Sequence, residues 1–497
     1  MASCHNLIPE FEFTRAEIDQ TLKNGGLLSL EIEISLRCNF RCPYCYVPDK
    51  SFPDNEFSKK EIYDVILQAK DMGAKKIIIL GGEPSIHPHI LEIIRFMKQE
   101  DLEVEMFTNG SGISKDFALQ LFENDVRVVL KMNTFDKELQ DKLTGIKGSY
   151  LIIRNALKNL KQAGYPSNDK FLAVSTVICK QNFDEMPDMW KWLRDQNIIP
   201  YLEIITPQEN ARQNEWLNVD PRSLHELFAR IAELDRTRYG HVWSPQPPLV
   251  GIKCLRHQFS CLVKSQGDVM PCVGVTIPIG NVRRQKLKDI IRQSEVMNDL
   301  RNFRRTIKGP CRACEKAETC YGCRGAAYQL TGDYLASDPL CWKNIDRQDE
   351  ILRLPLAVDE IIPHKPPMRL VDTLVKVGER SADVAVTISD DMPFTEKNGK
   401  VDESAYIELM AQSIAALNGF KNIDLTTSAA EGFLIGAKRI EILGTARVGD
   451  RLNISVCKFA RYGDFGIIKG TVSRDNDIIA QGEIKIWHKT ANSQRQA

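Results

Sequence analysis

Cys38-Asn39-Phe40-Arg41-Cys42-Pro43-Tyr44-Cys45 sets three thiols on one short loop. Thiolates are soft ligands, suited to iron–sulfur clusters and to zinc. Three on one loop can hold three irons of a cubane. The fourth iron then has no protein ligand, unlike the four-cysteine pattern of electron-transfer clusters. An open iron can chelate an incoming amine and carboxylate. A zinc knuckle is the structural alternative, but no fourth ligand lies nearby at usual zinc spacing. Eight further cysteines follow: Cys254, Cys261, Cys272, Cys311, Cys314, Cys320, Cys323 and Cys341. Their core runs C-x-x-C, five residues, C-x-x-C, then seventeen residues to Cys341. Such pairs suit either a second kind of iron–sulfur centre or tetrahedral zinc. Cys4, Cys179 and Cys457 stand alone. A third motif ends the apolar run Ile77–Leu80: Gly81-Gly82-Glu83-Pro84. Glycines at a strand's end let backbone approach a ligand closely, and Glu83 supplies an acceptor; an ordinary turn is the alternative. His87 and His89, which follow, are read as structural.

These residues need a scaffold, and the pattern from 29 to about 245 provides one. Strand-like runs (Ser29–Leu36, Lys76–Leu80, Glu103–Phe107, Val126–Met132, Phe171–Ile178, Pro200–Ile205) are separated by helix-like stretches such as Lys59–Asp71, His89–Gln99 and Tyr150–Ala163. That rhythm means α/β, a parallel sheet with helices outside. Six units fit a full or partial TIM-like barrel. In the first strand Leu30, Ile32, Ile34 and Leu36 alternate with Glu31, Glu33 and Ser35. A period of two puts the polar set on the inner face, which suits a barrel holding a polar ligand. Val129, Lys131 and Asn133 likewise share one face. Residues 250–345 are cysteine-rich and weak in periodicity, as in small segments where metal replaces a core. After a linker (343–358), six strand-like runs (Arg369–Val377, Ala382–Ile388, Phe433–Leu443, Arg451–Phe459, Gly466–Ser473, Ile478–Trp487) surround one helix-like stretch, Glu403–Phe420. They predict an α+β domain over 358–490.

The 497 residues fit about three domains. Lys plus Arg equals Asp plus Glu, so the formal net charge is zero. That argues against nucleic acid or an anionic membrane as the main partner. No apolar run reaches the roughly 20 residues that span a bilayer, and the start, residues 1–28, reads as a polar lead-in without a signal peptide. A cytoplasmic location is expected. Clustered cysteines in such a chain point to metal rather than disulfides.

The first cysteine loop, with its aromatic before the last Cys, and Gly-Gly-Glu-Pro resemble the radical S-adenosylmethionine superfamily. The resemblance implies a [4Fe–4S] cluster on Cys38, Cys42 and Cys45, and one-electron cleavage of S-adenosylmethionine to a 5′-deoxyadenosyl radical. It also implies a reductant partner of flavodoxin or ferredoxin type. Gly81, Gly82, Glu83 and Pro84 would bind the cofactor's amino group. Tyr44 would help hold adenine, and Asn109 and Asn133 would reach ribose or carboxylate; turn and cap roles are the alternative for both asparagines. The second cysteine set, with Gly267 five residues before Cys272, resembles the SPASM extension of peptide-modifying radical enzymes. It implies two auxiliary [4Fe–4S] clusters, one on Cys254, Cys261, Cys272 and Cys323, the other on Cys311, Cys314, Cys320 and Cys341. One departure is that only Tyr321 and Gly322 separate the last two core cysteines, where the family usually has three residues. Sulfatase-maturing members carry an aspartate after the cysteine matching Cys272; Val273 stands here, against that activity.

Ile362-Pro363-His364-Lys365-Pro366-Pro367-Met368, the helix with Ile407-Glu408-Leu409-Met410-Ala411-Gln412, Gly432-Phe433-Leu434-Ile435-Gly436 and Val448-Gly449-Asp450 together resemble hot-dog-fold 3-hydroxyacyl-carrier-protein dehydratases. The resemblance implies general acid/base removal of water, with Glu408 at the acid position. The family's His-Phe-Pro-Gly loop is replaced by Pro393-Phe394-Thr395-Glu396, leaving His364 as the candidate histidine. A buried structural His is the alternative, with a domain that only binds an acyl thioester or pairs as a homodimer. The whole chain thus reads as a radical enzyme acting on a carrier-protein-bound acyl chain. The alternatives are a peptide-modifying enzyme and a non-enzymatic redox and acyl-binding scaffold.

Overall fold

The computed structural model describes residues 13–47, 54–351, 353–422, 432–475 and 477–488; Cys4 and most of the lead-in lie outside them. The chain forms two units, one over residues 1–330 and 334–351, the other over 331–333 and 352–497.

In the first unit, strands β1 (Ser29–Glu33), β2 (Lys76–Leu80), β3 (Glu103–Thr108), β4 (Val126–Lys131), β5 (Leu172–Ile178) and β6 (Ile199–Ile204) pair in parallel and in order. Leu30 and Ile32 are fully buried and pack in one cluster with Ile62 and Ile66 of the Lys59–Asp71 helix and Ile93 and Ile94 of the Ile90–Gln99 helix. Each such side chain contributes about 1.5–3 kcal/mol on burial. The sheet does not close. Beyond β1 it continues through β7 (Leu262–Val263), parallel to β1, into the antiparallel β8 (Asp268–Met270) and β9 (Gly280–Asn281). The cysteine-rich segment is therefore hydrogen-bonded into the barrel sheet. It is also more regular than its sequence suggests: Leu287–Gln293, Glu295–Arg301 and Arg324–Thr331 are helices. Their one or two turns are too short for a helical period to stand out.

The strand ends differ from expectation at one instructive place. The first run was expected to continue to Leu36, but β1 stops at Glu33. Glu56 captures the backbone beyond, accepting from Leu36 N (2.5 Å) and Ser35 Oγ (2.9 Å).

Among the described residues the second unit is one seven-stranded antiparallel sheet in the order β10 (Leu356–Ala357), β11 (Thr373–Val377), β12 (Ser381–Thr387), β14 (Arg451–Tyr462), β15 (Phe465–Arg474), β16 (Asp477–His488) and β13 (Gly432–Ile442). The Ala405–Asn422 helix packs against β11 to β16. Tyr406, Met410 and Leu417 are fully buried in this core. Among the described residues no helix is long and apolar enough to cross a membrane.

Candidate functional site

The first cysteine loop is held by backbone. Gly82 N donates to Ser35 O (2.8 Å) and Glu83 N to Arg37 O (2.8 Å), so the Gly81–Pro84 turn lies flat on the chain leading into Cys38. A Cβ on Gly81 would sit 2.2 Å from Ser35 O, and one on Gly82 2.1 Å from Arg37 O. Gly81 also has φ 122°, a conformation that favours glycine. Glu83 is buried, and its carboxylate is engaged within the protein: it accepts from Thr108 Oγ1 (2.5 Å), Asn109 N (2.5 Å) and Ser85 N (2.9 Å). Burial pushes this carboxyl above the usual range, and the three donors oppose that. Pro84 opens a single turn, Pro84–Ile86. Glu83 thus anchors the strand ends through three of the roughly four acceptor sites a carboxylate offers.

Asn109 reaches back to the loop, its Nδ2 donating to Asn39 Oδ1 (3.1 Å) and Cys38 Sγ (3.7 Å). Asn133 is fully buried. Its Nδ2 donates to Tyr44 OH (2.7 Å) and its Oδ1 accepts from Val177 N (3.1 Å). Here Asn133 fixes Tyr44, whose ring carries Lys131 Nζ 5.2 Å from its centroid. Lys131 in turn donates to Ser175 Oγ (3.2 Å) and pairs with Glu203 (3.5 Å). The sequence puts Lys131 on one face with Asn133, but its partners Ser175 and Glu203 escaped it; the inward parity of β5 and β6 was the signal for them. His87 and His89 are tied locally, His87 Nδ1 accepting from His89 N and His89 Nδ1 facing Glu92.

The thiols carry the donors expected around cluster ligands. Phe40 N points at Cys38 Sγ (3.4 Å) and Val47 N at Cys45 Sγ (3.4 Å). Burial pushes Cys42 up to about 12, with the charges of Cys45 and Cys38 adding to the shift. Cys38 is raised for the same reason. Thiols in this setting ionise when a cation binds them.

Inside the barrel lies a cavity of about 340 Å³. Its wall takes alternate residues from the strands: Ser29 and Glu31, Ile78 and Leu80, Glu105 and Phe107, Arg127 and Val129, Tyr201 and Glu203. The inner face is thus polar at β1, as the alternation predicted, and mixed elsewhere. Tyr46, next to Cys45, borders the cavity, and so do Cys254, Cys272 and Cys323. These three are charge neighbours of one another. Cys261 is buried beside Arg301 and Glu31. Cys311, Cys320 and Cys341 form a second neighbourhood, with Cys314 beside Lys343. Gly322 turns the short Tyr321-Gly322 gap at φ 65°, where a Cβ would meet Asp338 Cβ at 2.6 Å. Asp338 accepts from Cys323 N (2.7 Å) and Leu340 N (2.9 Å). Cys179 is buried and Cys457 exposed, apart from either group.

Among the described residues no three His, Cys, Asp or Glu side chains are gathered tightly into a metal-ion site. The donor chemistry nevertheless fits iron–sulfur centres. N–H groups point at sulfur from Lys316 to Cys314 (3.5 Å), Gly322 to Cys320 (3.3 Å), Ala326 to Cys323 (3.3 Å) and Asn344 Nδ2 to Cys311 (3.3 Å). Buried donors on His257 and Arg324, both bordering the cavity, have no partner among the described residues. Hydrogen bonds to sulfur are what such centres use.

In the second unit Gln412 makes a clamp. Its Oε1 accepts from Leu370 N (2.8 Å), and its Nε2 donates to Met368 O (2.7 Å) and Glu408 Oε1 (2.9 Å). The helix bearing Glu408 is thereby joined to the segment that begins at His364. His364 Nδ1 is buried without a partner among the described residues. A pocket bounded by Leu370, Phe394 and Leu409 measures about 10 Å³, room for one water at most.

Residues 32–193 match the model of the radical SAM superfamily, residues 254–315 that of the SPASM iron–sulfur cluster-binding domain, and residues 356–496 that of the ApeP dehydratase. The AdoMet-dependent heme synthase of Methanosarcina barkeri is 25% identical over 336 residues, 62% of this chain and 94% of that protein. That of Nitratidesulfovibrio vulgaris is 24% identical over 352 residues, 65% of this chain and 94% of that protein. Among solved structures, Streptococcus suis SuiB bound to S-adenosylmethionine aligns with a TM-score of 0.52 at 18% identity, covering 66% of this chain and 81% of that one. At these identities the structural likeness concerns the fold.

Proposed function

Since the chain is a radical S-adenosylmethionine enzyme with a SPASM region and an ApeP-like dehydratase domain, we propose that it abstracts hydrogen from a substrate held in the barrel cavity. The observation carrying this is that one cavity is bordered both by Tyr46, beside the first cysteine loop, and by Cys254, Cys272 and Cys323. A [4Fe–4S] centre with S-adenosylmethionine supplies, when bound, a 5′-deoxyadenosyl radical by one-electron reduction. Cys38, Cys42 and Cys45 would hold that centre. Gly81 and Gly82 position the loop, Asn109 and Glu83 stiffen it, and Asn133 orients Tyr44. Lys131 and Ser175 supply donors beside Tyr44 for a carboxylate. The aromatic walls exclude water, which strengthens every electrostatic contact inside.

Two auxiliary [4Fe–4S] centres are proposed, one on Cys254, Cys261, Cys272 and Cys323, the other on Cys311, Cys314, Cys320 and Cys341. The two thiol neighbourhoods support this division. A flavodoxin- or ferredoxin-type protein is the proposed reductant. The proposed substrate is an acyl chain on a carrier protein. A cavity of about 340 Å³ is at the small end for ligand sites, enough for the reacting segment of an extended chain, and the match of the second unit to the ApeP dehydratase supports an acyl substrate. There His364 and Glu408 are the proposed proton-transfer pair, supported by the Gln412 clamp. Phe433, Leu434 and Ile435, exposed on β13, which is an edge strand among the described residues, are the proposed homodimer contact, since an apolar edge strand invites pairing.

The relatives named heme synthases, matched over 94% of their length, favour a second reading: a heme-related substrate in the same cavity. Anaerobic reconstitution with iron counting, then reduction with S-adenosylmethionine, tests both. Acyl-carrier substrate should raise 5′-deoxyadenosine several-fold above the substrate-free rate, and Cys42→Ala should abolish it. Stimulation by heme precursors alone would select the second reading. A chain without 5′-deoxyadenosine production under any condition would remove the radical reading.

A further inference from the structure

Around Cys254, Cys261, Cys272 and Cys323 the chain has buried nitrogen donors, on two arginines and an imidazole, that its own acceptors do not satisfy. Arg324 is 2% exposed. Its Nη1 donates to Tyr334 O (3.1 Å) and Ala336 O (2.6 Å), while Nε and Nη2 have no partner among the described residues. Arg301 donates through Nη2 to Gly26 O (2.8 Å), and its Nε is likewise unpartnered. His257 is 2% exposed and stacks on Tyr321, with centroids 5.4 Å apart and planes at 20°. Neither of its ring nitrogens has a partner among the described residues. Arg256, Arg324 and Arg301 are the charges nearest this imidazole. Arg256 pairs with Glu31 and is a charge neighbour of Cys254 and Cys272; Arg301 neighbours Cys261.

Burying a guanidinium is costly, and leaving its donors unmade adds to the cost. The arrangement makes sense when an anion rich in acceptors fills the space between these side chains. Four thiolates and their sulfides around iron are such an anion, and its potential responds to net charge, hydrogen bonds to sulfur and burial. Glu31 is already matched by Arg256. Asp338 is a charge neighbour of both thiol neighbourhoods, and Arg324 of Cys320 in the second, so neither distinguishes them; Arg301 neighbours Cys261 of the first.

We propose that Arg301 and His257 hydrogen-bond the auxiliary centre of Cys254, Cys261, Cys272 and Cys323, and with Arg256 hold it at a raised reduction potential. This rests on the ligand assignment proposed above. Removing a cation should favour the oxidised, less negative state. The experiment is a redox titration of the full-length, anaerobically reconstituted enzyme, followed by electron paramagnetic resonance, with iron counted in each sample. In Arg301→Gln the iron content should match the unaltered chain. One auxiliary signal should shift downward by a ten-fold change in its oxidised-to-reduced ratio, or about 59 mV for one electron, while the other signals stay in place. Arg301→Lys, which keeps a charge, should recover part of the shift. His257→Phe keeps the stack on Tyr321 and should move the same signal in the same direction, which guards against misfolding of the arginine variant. Full iron with unmoved potentials would overturn the inference. So would unmoved potentials with a raised substrate KM, which would assign these donors to a substrate anion. Cys272→Ala should lose four irons per chain; if it loses none, the ligand assignment itself fails.

Discussion

At Glu83 a carboxylate buried among three donors holds together the ends of β2 and β3. Deleting it leaves Thr108 Oγ1, Asn109 N and Ser85 N without their acceptor, at about 1–3 kcal/mol for a buried unmade bond. Glu83→Ala should therefore lower the urea midpoint of the first unit and reduce iron retention in the first loop. Gly82 works by absence. A methyl there meets the Arg37 carbonyl at 2.1 Å, and backbone cannot step aside as a flexible side chain can. Gly82→Ala should cost about 1–3 kcal/mol by overpacking and should suppress S-adenosylmethionine cleavage, while iron bound by the auxiliary cysteines is retained. Iron counting beside 5′-deoxyadenosine assays separates the two effects.

At the scale of elements, the Lys59–Asp71 helix ties the cysteine-rich extension to the barrel. Glu61 closes a capping box with Ser58 and accepts from Arg283 Nε (2.7 Å), while Arg283 Nη1 donates to Asn55 O (2.8 Å). Hydrogen bonding to Arg283 leads the causes that lower the Glu61 carboxyl from 4.5 to about 2. A depressed carboxyl stabilises the folded state above its unfolded value and loses that contribution as pH falls toward the folded one. Between pH 4.5 and about 2 the native protein should lose stability through this group, and Glu61→Gln should flatten that limb of the acid-unfolding curve. The group is more than a third exposed, so after solvent screening the effect is about 1 kcal/mol or less.

For the whole molecule, two units with separate apolar cores should melt in two calorimetric transitions. Stripping iron with a chelator should lower the transition of the cysteine-bearing unit by mass action and leave the other unchanged. The second unit presents exposed Phe433, Leu434 and Ile435 on β13. Leu434→Lys should shift sedimentation toward the monomer without moving either transition by more than a few degrees.

The sequence by itself determined the chemistry available. Thiol spacing at Cys38, Cys42 and Cys45, the glycines after β2 and the period-two polarity of β1 are local patterns, each readable from neighbours a few residues apart. The alternation of strands and helices in the first unit and the helix of the second were legible for the same reason, because burial imposes a period on every amphipathic segment. What only the tertiary structure decided lies between distant segments. That Glu83 accepts from Thr108 and Asn109, that Asn133 holds Tyr44, and that Arg301, Arg256 and His257 come together near Cys254, Cys261 and Cys272 all depend on residues tens to hundreds of positions apart. Side-chain partnership across such distances is set by packing, which carries no period along the chain.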